Sequence, residues 1–216
     1  MNAHSFFAKK IMEVGKLKLR LTRDAKRKVM RAKILNAGIE MFAEKGFHQT
    51  RMSEIAKKAR VADGTIYRYF INKDDLLISC FEEIITVKLD EVKASLEKIP
   101  NKGDKLISFI DAHIKVFTEN PTIAKFMILE LRQSPEFYKK YPNFWPIKRY
   151  LAYLKKLCEE AIDAGKIKPV NPSVLTIMLF GMMDYVLMEW ALTDKIDSLD
   201  NIKNEIQKIL ENGIKK

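Results

Sequence analysis

Apolar residues recur three and four positions apart along most of this 216-residue chain, whereas the alternation typical of strands is scarce. The chain contains only eight glycines and seven prolines, so few positions interrupt a helix. Hydrophobic residues make up 47% of the chain and charged residues 31%, which is enough apolar material for a packed, water-soluble core. These patterns predict an all-α fold.

The positive charge of the chain is concentrated in its first third. Residues 1–75 contain 18 lysines and arginines against 8 aspartates and glutamates, whereas residues 76–216 contain 21 against 20. A basic excess confined to one part of a chain indicates a nucleic-acid or anionic-membrane partner for that part.

The helical pattern divides the chain into a basic leader, residues 1–23, a first domain, residues 24–72, and a second domain, residues 73–216. In the first domain a long helix ends at Gly46, because glycine readily takes the left-handed conformation at a helix end. Thr50 is placed to cap a short helix, and a second short helix follows over residues 62–69. The second domain is predicted to contain helices over 73–98, 103–119, 121–133, 145–165, 172–192 and 198–213.

Two short helices that meet at a tight turn and pack on a longer helix form a helix-turn-helix. Small side chains, Ala56 and Ala59, allow the two short helices to approach closely. The outward positions of the second short helix carry hydroxyls, rings and a cation, a mixture that suits phosphates and base edges: Asp63, Thr65, Tyr67, Arg68 and Tyr69.

Residues 47–77, FHQTRMSEIAKKARVADGTIYRYFINKDDLL, resemble the signature of the TetR family of bacterial transcriptional repressors. The resemblance implies an N-terminal three-helix DNA-binding module, followed by a larger helical domain for ligand binding and dimerisation. It implies that Thr50 and Lys73 hold DNA phosphates, and that Thr65, Tyr67 and Tyr69 occupy recognition positions. Arg51 and Arg68 stand where the family varies and are candidates for reading the operator sequence. Many members have Ser or Thr where this chain has Ala62, which offers no side-chain cap.

Nothing in the sequence indicates an enzyme or a metal site. The histidines, His4, His48 and His113, are widely separated, and there is no phosphate-binding glycine loop. The two cysteines, Cys80 and Cys158, sit in apolar helical patterns and are predicted to be reduced packing residues of a cytoplasmic protein. Residues 174–192 approach membrane length but carry Asp184 and Glu189, so a core helix is predicted there and no membrane partner.

The second domain is rich in aromatic residues and methionine, and the TetR resemblance implies that it encloses a ligand cavity. Flexible methionines suit a hydrophobic guest, and polar side chains within the apolar pattern would orient it. The candidate ligand-binding residues are Phe126, Met127, Glu130, Arg132, Gln133, Met178, Met182 and Tyr185. The expected ligand is a small-molecule effector, with no cofactor.

A narrower resemblance concerns three segments: residues 61–77, ILELRQS at 128–134 and MLFGMMDYVLMEWAL at 178–192. They look like the acyl-CoA-responsive repressors of fatty-acid degradation. The resemblance implies a long-chain acyl-CoA effector and control of fatty-acid metabolism genes. Cations for the nucleotide end of the effector are available at Arg132, Lys139, Lys140, Lys148, Arg149, Lys155 and Lys156. The TetR resemblance further implies a homodimer, joined through the last two helices, on a palindromic double-stranded operator.

Two alternatives remain open at this point. Within the family, the chain is a regulator of an efflux pump that senses a drug or an aromatic compound. Outside the family, the basic leader is also typical of a membrane-surface protein, which would bind liposomes. The helical pattern is also typical of a helical adaptor, which would have no ligand cavity.

Overall fold

The structure, a computed structural model, describes residues 23–193 and, beyond them, residues 201, 204–206, 208, 209 and 213. Over residues 23–193 the predicted all-α fold is confirmed. The helices are α1 (Arg23–Lys45), α2 (Met52–Lys58), α3 (Asp63–Ile66), α4 (Lys73–Glu97), α5 (Lys105–Thr118), α6 (Pro121–Glu130), α7 (Pro135–Lys140), α8 (Lys148–Asp163) and α9 (Pro172–Thr193), with a 3-10 turn at Lys102–Asp104. The leader, apart from residue 23, and most of the predicted helix over 198–213 lie outside the described residues.

The chain divides into two compact units. The first unit combines the residues up to Ile84 with Thr122–Phe144, and the second combines Ile85–Pro121 with the residues from Trp145 onward. The division therefore falls inside α4 and places α6 and α7 with the N-terminal helices. The boundary predicted near residue 72 separates a DNA-binding domain from a ligand-binding domain, and it stays a prediction.

The core of the first unit is built on one face of α1. Ile34, Leu35, Ile39 and Phe42 are buried there at helical spacing. Gly38 lies on the same face, and a β-carbon at this position would stand 3.4 Å from Cys80 Sγ and from a Leu76 methyl group. A glycine here allows α1 and α4 to pack closely.

Three aromatic rings connect α1, α4 and α6 inside the first unit. Phe126 lies 6.2 Å from the Phe42 ring and 4.8 Å from the Phe81 ring, measured between centroids. All three side chains are fully buried. The burial of large rings dominates core energetics, so α6 is an integral part of this core.

The predicted helix over 121–133 is wrong at its C-terminal end, because α6 stops at Glu130 and a separate helix, α7, begins at Pro135. Side chains satisfy the last carbonyls of α6: Arg132 Nη1 donates to Ile128 O over 3.0 Å, and Gln133 Nε2 donates to Glu130 O over 2.7 Å. Ser134 then caps α7 by accepting a hydrogen bond from the Phe137 N–H over 3.2 Å. Pro135 has no backbone N–H, and it stands at the first helical position, where a backbone N–H has no partner within the helix.

In the second unit, helices α5, α8 and α9 pack on one another. Helix α9 is the most apolar of them and, by length and composition, the one described helix that could cross a membrane. One side of it is buried, with Leu175, Leu179, Met183, Val186, Leu187 and Trp190. This burial agrees with the core helix predicted for residues 174–192, because core helices can be as apolar as membrane spans.

Each unit contains one free, buried cysteine. Cys80 in the first unit lies 3.7 Å from Leu35 O, and Cys158 in the second accepts from Thr176 Oγ1 over 3.8 Å. Burial raises the pKa of both thiols, that of Cys158 to about 11.

Candidate nucleic-acid interface

Helices α2 and α3 form the helix-turn-helix, and the chain reverses between them in a tight hydrogen-bonded turn. The Val61 N–H donates to Ala56 O over 2.9 Å, and the Arg60 N–H donates to Lys57 O over 3.0 Å. This pair of bonds is the Schellman motif, and it places Arg60 in the left-handed region at φ 54°. The same bond pattern ends α8, where Gly165 occupies the left-handed position at φ 66°.

The N-terminus of α2 is capped differently from the prediction. Arg51, not Thr50, is the N-cap residue, and the Glu54 carboxylate accepts its backbone N–H over 2.9 Å. Glu54 also pairs with Lys45 over 2.6 Å. The hydrogen bonds from Lys45 and from the Arg51 backbone lower the pKa of Glu54.

Helix α3 is a single turn, shorter than the predicted helix over 62–69. After Ile66 the chain tightens, because the N–H groups of Arg68 and Tyr69 bond to carbonyls three residues earlier. Ala62 at the N-cap provides no side-chain hydrogen bond, as its residue type implies. Ile66 and Phe70 are buried and fix the segment to the unit.

The predicted recognition side chains differ in their exposure. Tyr67 is 56% exposed, and Arg51 and Arg68 are exposed as well, whereas Thr65 and Tyr69 are half-buried. Arg68 and Tyr69 also line a groove of about 660 Å³ that runs to the start of α1 and is completed by Asp24, Lys26, Arg27 and Met30. Among the described lining residues, three cations stand against one carboxylate, which makes this part of the groove electropositive.

Thr50 has a structural role within the loop between α1 and α2. Its side chain is 1% exposed, and its hydroxyl lies 2.8 Å from Gly46 O and 3.2 Å from Met41 O. A hydroxyl has one hydrogen to donate, so these two carbonyls share it. The loop itself begins in the left-handed region at Gly46, φ 79°, whose N–H closes α1 on Phe42 O over 2.9 Å.

Lys73, the first residue of α4, binds the same loop from the other side. Its ammonium donates to Phe47 O over 2.8 Å, to Thr50 O over 3.0 Å and to His48 O over 3.3 Å. The nitrogen also lies 4.5 Å from the centroid of the Phe47 ring. Partial burial lowers the pKa of Lys73, although the nearby Asp74 and Glu130 carboxylates oppose that shift. The side chain is still partly exposed.

Glu130, at the end of α6, binds the backbone of the same loop. Its Oε1 accepts the Phe47 N–H over 2.9 Å, and its Oε2 lies 3.2 Å from Gln133 Nε2. The carboxylate is buried. Helix α6 and the helix-turn-helix are thus joined by a charge-assisted hydrogen bond between residues 83 positions apart in the chain.

A second connection joins α4 to the end of α7. The Asp74 carboxylate accepts hydrogen bonds from Lys140 Nζ over 2.6 Å and from Tyr141 Oη over 2.8 Å. Burial raises the pKa of Asp74, but these two hydrogen bonds outweigh it and leave the pKa below its usual value.

The candidate ligand-binding residues fall in both units. Phe126, Met127, Glu130, Arg132 and Gln133 belong to the first unit, and Met178, Met182 and Tyr185 belong to the second. The predicted cations for the nucleotide end divide in the same way: Arg132, Lys139 and Lys140 lie in the first unit, and Lys148, Arg149, Lys155 and Lys156 in the second. Within the described residues, no three His, Cys, Asp or Glu side chains are grouped to hold a metal ion.

Helix α9 presents an exposed apolar stripe on the side away from its core contacts. Its members recur at helical spacing: Val174, Ile177, Met178, Tyr185 and Leu192. Met178 is 65% exposed, and Gly181 lies on the same stripe. Exposed apolar side chains at helical spacing are a candidate surface for a protein interface.

Comparison with known proteins connects both halves of the chain to one family. Residues 34–80 match the family described as bacterial regulatory proteins, tetR family, and residues 81–213 match the C-terminal region of YsiA-like proteins. The chain is 34% identical to the fatty acid metabolism regulator protein of Bacillus subtilis (strain 168), over 84% of this chain and 93% of that protein.

Two solved structures are similar over nearly their whole length. The regulator FadR from Bacillus subtilis, in complex with stearoyl-CoA, is 34% identical with a TM-score of 0.76, over 85% of this chain and 98% of that one. The fatty acid degradation regulator FadR from Bacillus halodurans is 32% identical with a TM-score of 0.75, over 84% of this chain and 98% of that one. Both resemblances inferred from the sequence are therefore confirmed. The chain belongs to the TetR family of bacterial regulatory proteins and is similar, along most of its length, to the fatty-acid metabolism regulators of Bacillus.

Proposed function

We propose that this protein is a cytoplasmic transcriptional repressor, not an enzyme, that controls fatty-acid metabolism genes and responds to a long-chain acyl-CoA. The observation that carries the proposal is the similarity, over 85% of the chain, to a regulator solved with stearoyl-CoA. The similarity includes both the helix-turn-helix and the helical remainder, so it supports a DNA-binding and a ligand-binding role together.

The operator contacts are proposed to come from the surface around α3. Tyr67, Arg68 and Arg51 are exposed there and carry the groups that read base edges and phosphates, with Thr65 and Tyr69 beside them. Thr50 and Lys73 fix the backbone of the adjoining loop, and the partly exposed Lys73 ammonium adds a positive charge for phosphate. The groove with Lys26 and Arg27 extends this basic surface.

Dimerisation is proposed to use the exposed stripe of α9 together with the segment 198–213. Burial of that stripe against a second copy would remove its apolar side chains from water. A dimer would present two recognition segments to successive major grooves of a palindrome, about 34–36 Å apart or somewhat further.

The ligand response is proposed to act through α6. Phe126 packs between α1 and α4, and Glu130 holds the loop before α2, so a ligand that displaces α6 also displaces the helix-turn-helix. Phe126, Met127, Met178 and Met182 are proposed to contact the acyl chain, with Glu130, Arg132, Gln133 and Tyr185 as polar contacts. The effector must favour the dimer geometry that fits the operator poorly, since equal affinity for both geometries shifts nothing.

The DNA part of the proposal is tested by fluorescence anisotropy on a duplex selected from a random library. Arg68→Ala should lower the affinity for the selected duplex by about 1–3 kcal/mol while the thermal stability of the protein is unchanged. Lys115→Ala, which removes an exposed lysine of the second unit, serves as the charge-matched control and should have no effect. Equal losses of DNA affinity for the two variants would show that Arg68 acts only through the net charge of the protein.

The effector part is tested by titrating acyl-CoAs of increasing chain length into the protein–DNA complex. Release should improve with chain length, since each buried methylene contributes about 0.8 kcal/mol, until the binding site is filled. Free coenzyme A and free fatty acid are the controls and should release little. Release by cationic drugs or aromatic compounds alone would favour the efflux-regulator alternative.

A further inference from the structure

A buried histidine and a buried tyrosine form a hydrogen-bonded pair inside the second unit. His113 lies on α5 and Tyr150 on α8, and His113 Nδ1 is 2.7 Å from Tyr150 Oη. The exposed fractions of the two side chains are 3% and 1%. Burial lowers the pKa of His113 to about 3, so the ring is neutral around pH 7.

The other ring nitrogen of His113 has no hydrogen-bond partner among the described residues. His113 Nε2 is fully enclosed, yet nothing in the described part of the chain donates to it or accepts from it. A neutral imidazole has one N–H donor and one acceptor nitrogen, and buried polar groups are nearly always paired.

The proton of the ring can be assigned by counting donors. If Nδ1–H donated to Tyr150 Oη, the phenol hydrogen and Nε2 would both lack a partner. If the phenol donates to Nδ1, only the proton on Nε2 lacks one, so this arrangement is favoured. Tyr150 therefore holds His113 in the tautomer whose Nε2–H is a free donor.

The ring of His113 is surrounded by aromatic side chains. Phe117, Phe109 and Phe180 place their ring centroids 5.0, 6.0 and 6.3 Å from that of His113. Phe109 and Phe117 are buried, whereas Phe180 on α9 is only partly so. A guest for this cluster would be apolar over most of its length and would carry one acceptor atom.

The acyl part of an acyl-CoA has this composition, because its carbonyl oxygen is the one polar atom between the alkyl chain and the sulfur. Resting on the proposed function, we propose that His113 donates a hydrogen bond from Nε2 to the thioester carbonyl oxygen of the effector, with Tyr150 as the residue that positions the ring. The aromatic rings around the pair then contact the first carbons of the chain.

The test compares two ligands that differ only at that oxygen: an acyl-CoA, and the S-alkyl-CoA of equal length in which a methylene replaces the carbonyl. By calorimetry, the native protein should bind the acyl-CoA about tenfold more tightly, which corresponds to about 1.4 kcal/mol. His113→Phe should abolish the preference, and Tyr150→Phe should reduce it. Lys115→Ala, which changes an exposed residue of the same helix as His113, should retain it.

A spectroscopic measurement on the native protein provides a readout independent of the variants. With a carbonyl-¹³C acyl-CoA, the thioester stretch should move to lower frequency on binding and should return to the frequency of a non-bonded thioester in the His113→Phe complex. Tight binding without a preference for the acyl-CoA, or with an unshifted stretch, overturns the role of His113 and leaves the proposed effector intact. Failure of the native protein to bind either ligand overturns both.

Discussion

The two units differ in the hydrogen-bond partners of their polar groups. In the first, the buried Glu130 carboxylate and Thr50 hydroxyl, together with the partly exposed Lys73 ammonium, bind backbone groups of one short loop. In the second, the His113–Tyr150 pair lies among aromatic rings, His113 Nε2 has no partner among the described residues, and α9 exposes apolar side chains. An unpartnered buried atom also occurs in the first unit, at Asn36 Oδ1, away from that loop in sequence.

The difference corresponds to two requirements of the proposed function. A surface that reads DNA has to keep one geometry, which hydrogen bonds between side chains and a loop backbone provide. A domain that accepts a ligand and a second copy has to retain apolar surface and polar groups that become satisfied only in the complex. Four predictions test the contrast, in order of decreasing expected effect.

Loss of the central ring of the first unit should have the largest effect. Phe126→Ala should lower the free energy of unfolding by about 3–5 kcal/mol, since it removes a fully buried ring and leaves a cavity between α1 and α4. Leu129→Ala is the control in the same helix and should cost about 1 kcal/mol or less, because its side chain is 47% exposed. If urea denaturation gave comparable losses of unfolding free energy for Phe126→Ala and Leu129→Ala, Phe126 would not be the residue that anchors α6.

Removal of the Glu130 carboxylate, which accepts the Phe47 N–H, should have the next largest effect. Glu130→Leu leaves the Phe47 N–H without its partner and should cost about 1–3 kcal/mol of unfolding free energy. Glu130→Gln retains an amide oxygen and should cost less.

In the second unit, the double change His113→Phe with Tyr150→Phe removes both partners of the hydrogen bond and should leave the free energy of unfolding nearly unchanged at pH 8. A larger loss for this double variant than for Glu130→Leu would reverse the contrast.

The pH dependence of stability should distinguish the two units as well. The pKa of His113 in the folded protein is about 3, below its ordinary value of 6.5, so the unfolded chain binds the extra proton between those values. Stability should therefore fall as the pH drops below 6.5, with a contribution from His113 that approaches about 1.4 kcal/mol per pH unit. His113→Phe should remove this contribution from urea midpoints measured between pH 7 and pH 4. The control Phe117→Leu should shift the midpoints without changing their slope against pH.

The smallest effect is expected at the two Schellman turns, and its sign should differ between units. Arg60 holds a left-handed conformation that glycine adopts without strain, so Arg60→Gly should stabilise the protein by about 0.5–1 kcal/mol. Gly165→Ala makes the opposite change at the matching position of α8 and should destabilise it by about 1 kcal/mol. Thermal unfolding measures both, and shifts of the same sign would contradict the strain argument.

Features that depend on neighbours in the chain were predictable from the sequence. The end of α1 at Gly46 and the helix-turn-helix follow from local patterns, and Tyr67 and Arg68 are exposed as expected. Helix α7 was missed because Ser134-Pro135 reads as a break, although the two residues form the cap and first position of a helix. Thr50 matches a capping pattern, but its hydroxyl instead contacts two carbonyls that precede it in the chain, those of Gly46 and Met41.

The long-range polar contacts could not be predicted. Glu130 and Gln133 are polar residues in an apolar pattern, but the Phe47 N–H that Glu130 accepts lies 83 residues away in the chain. Likewise, His113 lacked any companion at metal-ligand spacing, and its partner Tyr150 is 37 residues distant. Pairings of this kind depend on how the helices pack, and the sequence pattern of one helix does not contain that information.

The placement of one buried thiol in each unit makes the chain its own reporter of local opening. Cys80 and Cys158 are inaccessible and, because burial raises the pKa of both thiols, unreactive in the folded protein. Each becomes available to an alkylating reagent only when its own unit opens, so mass spectrometry of the two labelled peptides gives two separate opening rates in one sample. Measured with and without operator DNA or acyl-CoA, these rates would show which unit each ligand stabilises, without any engineered label.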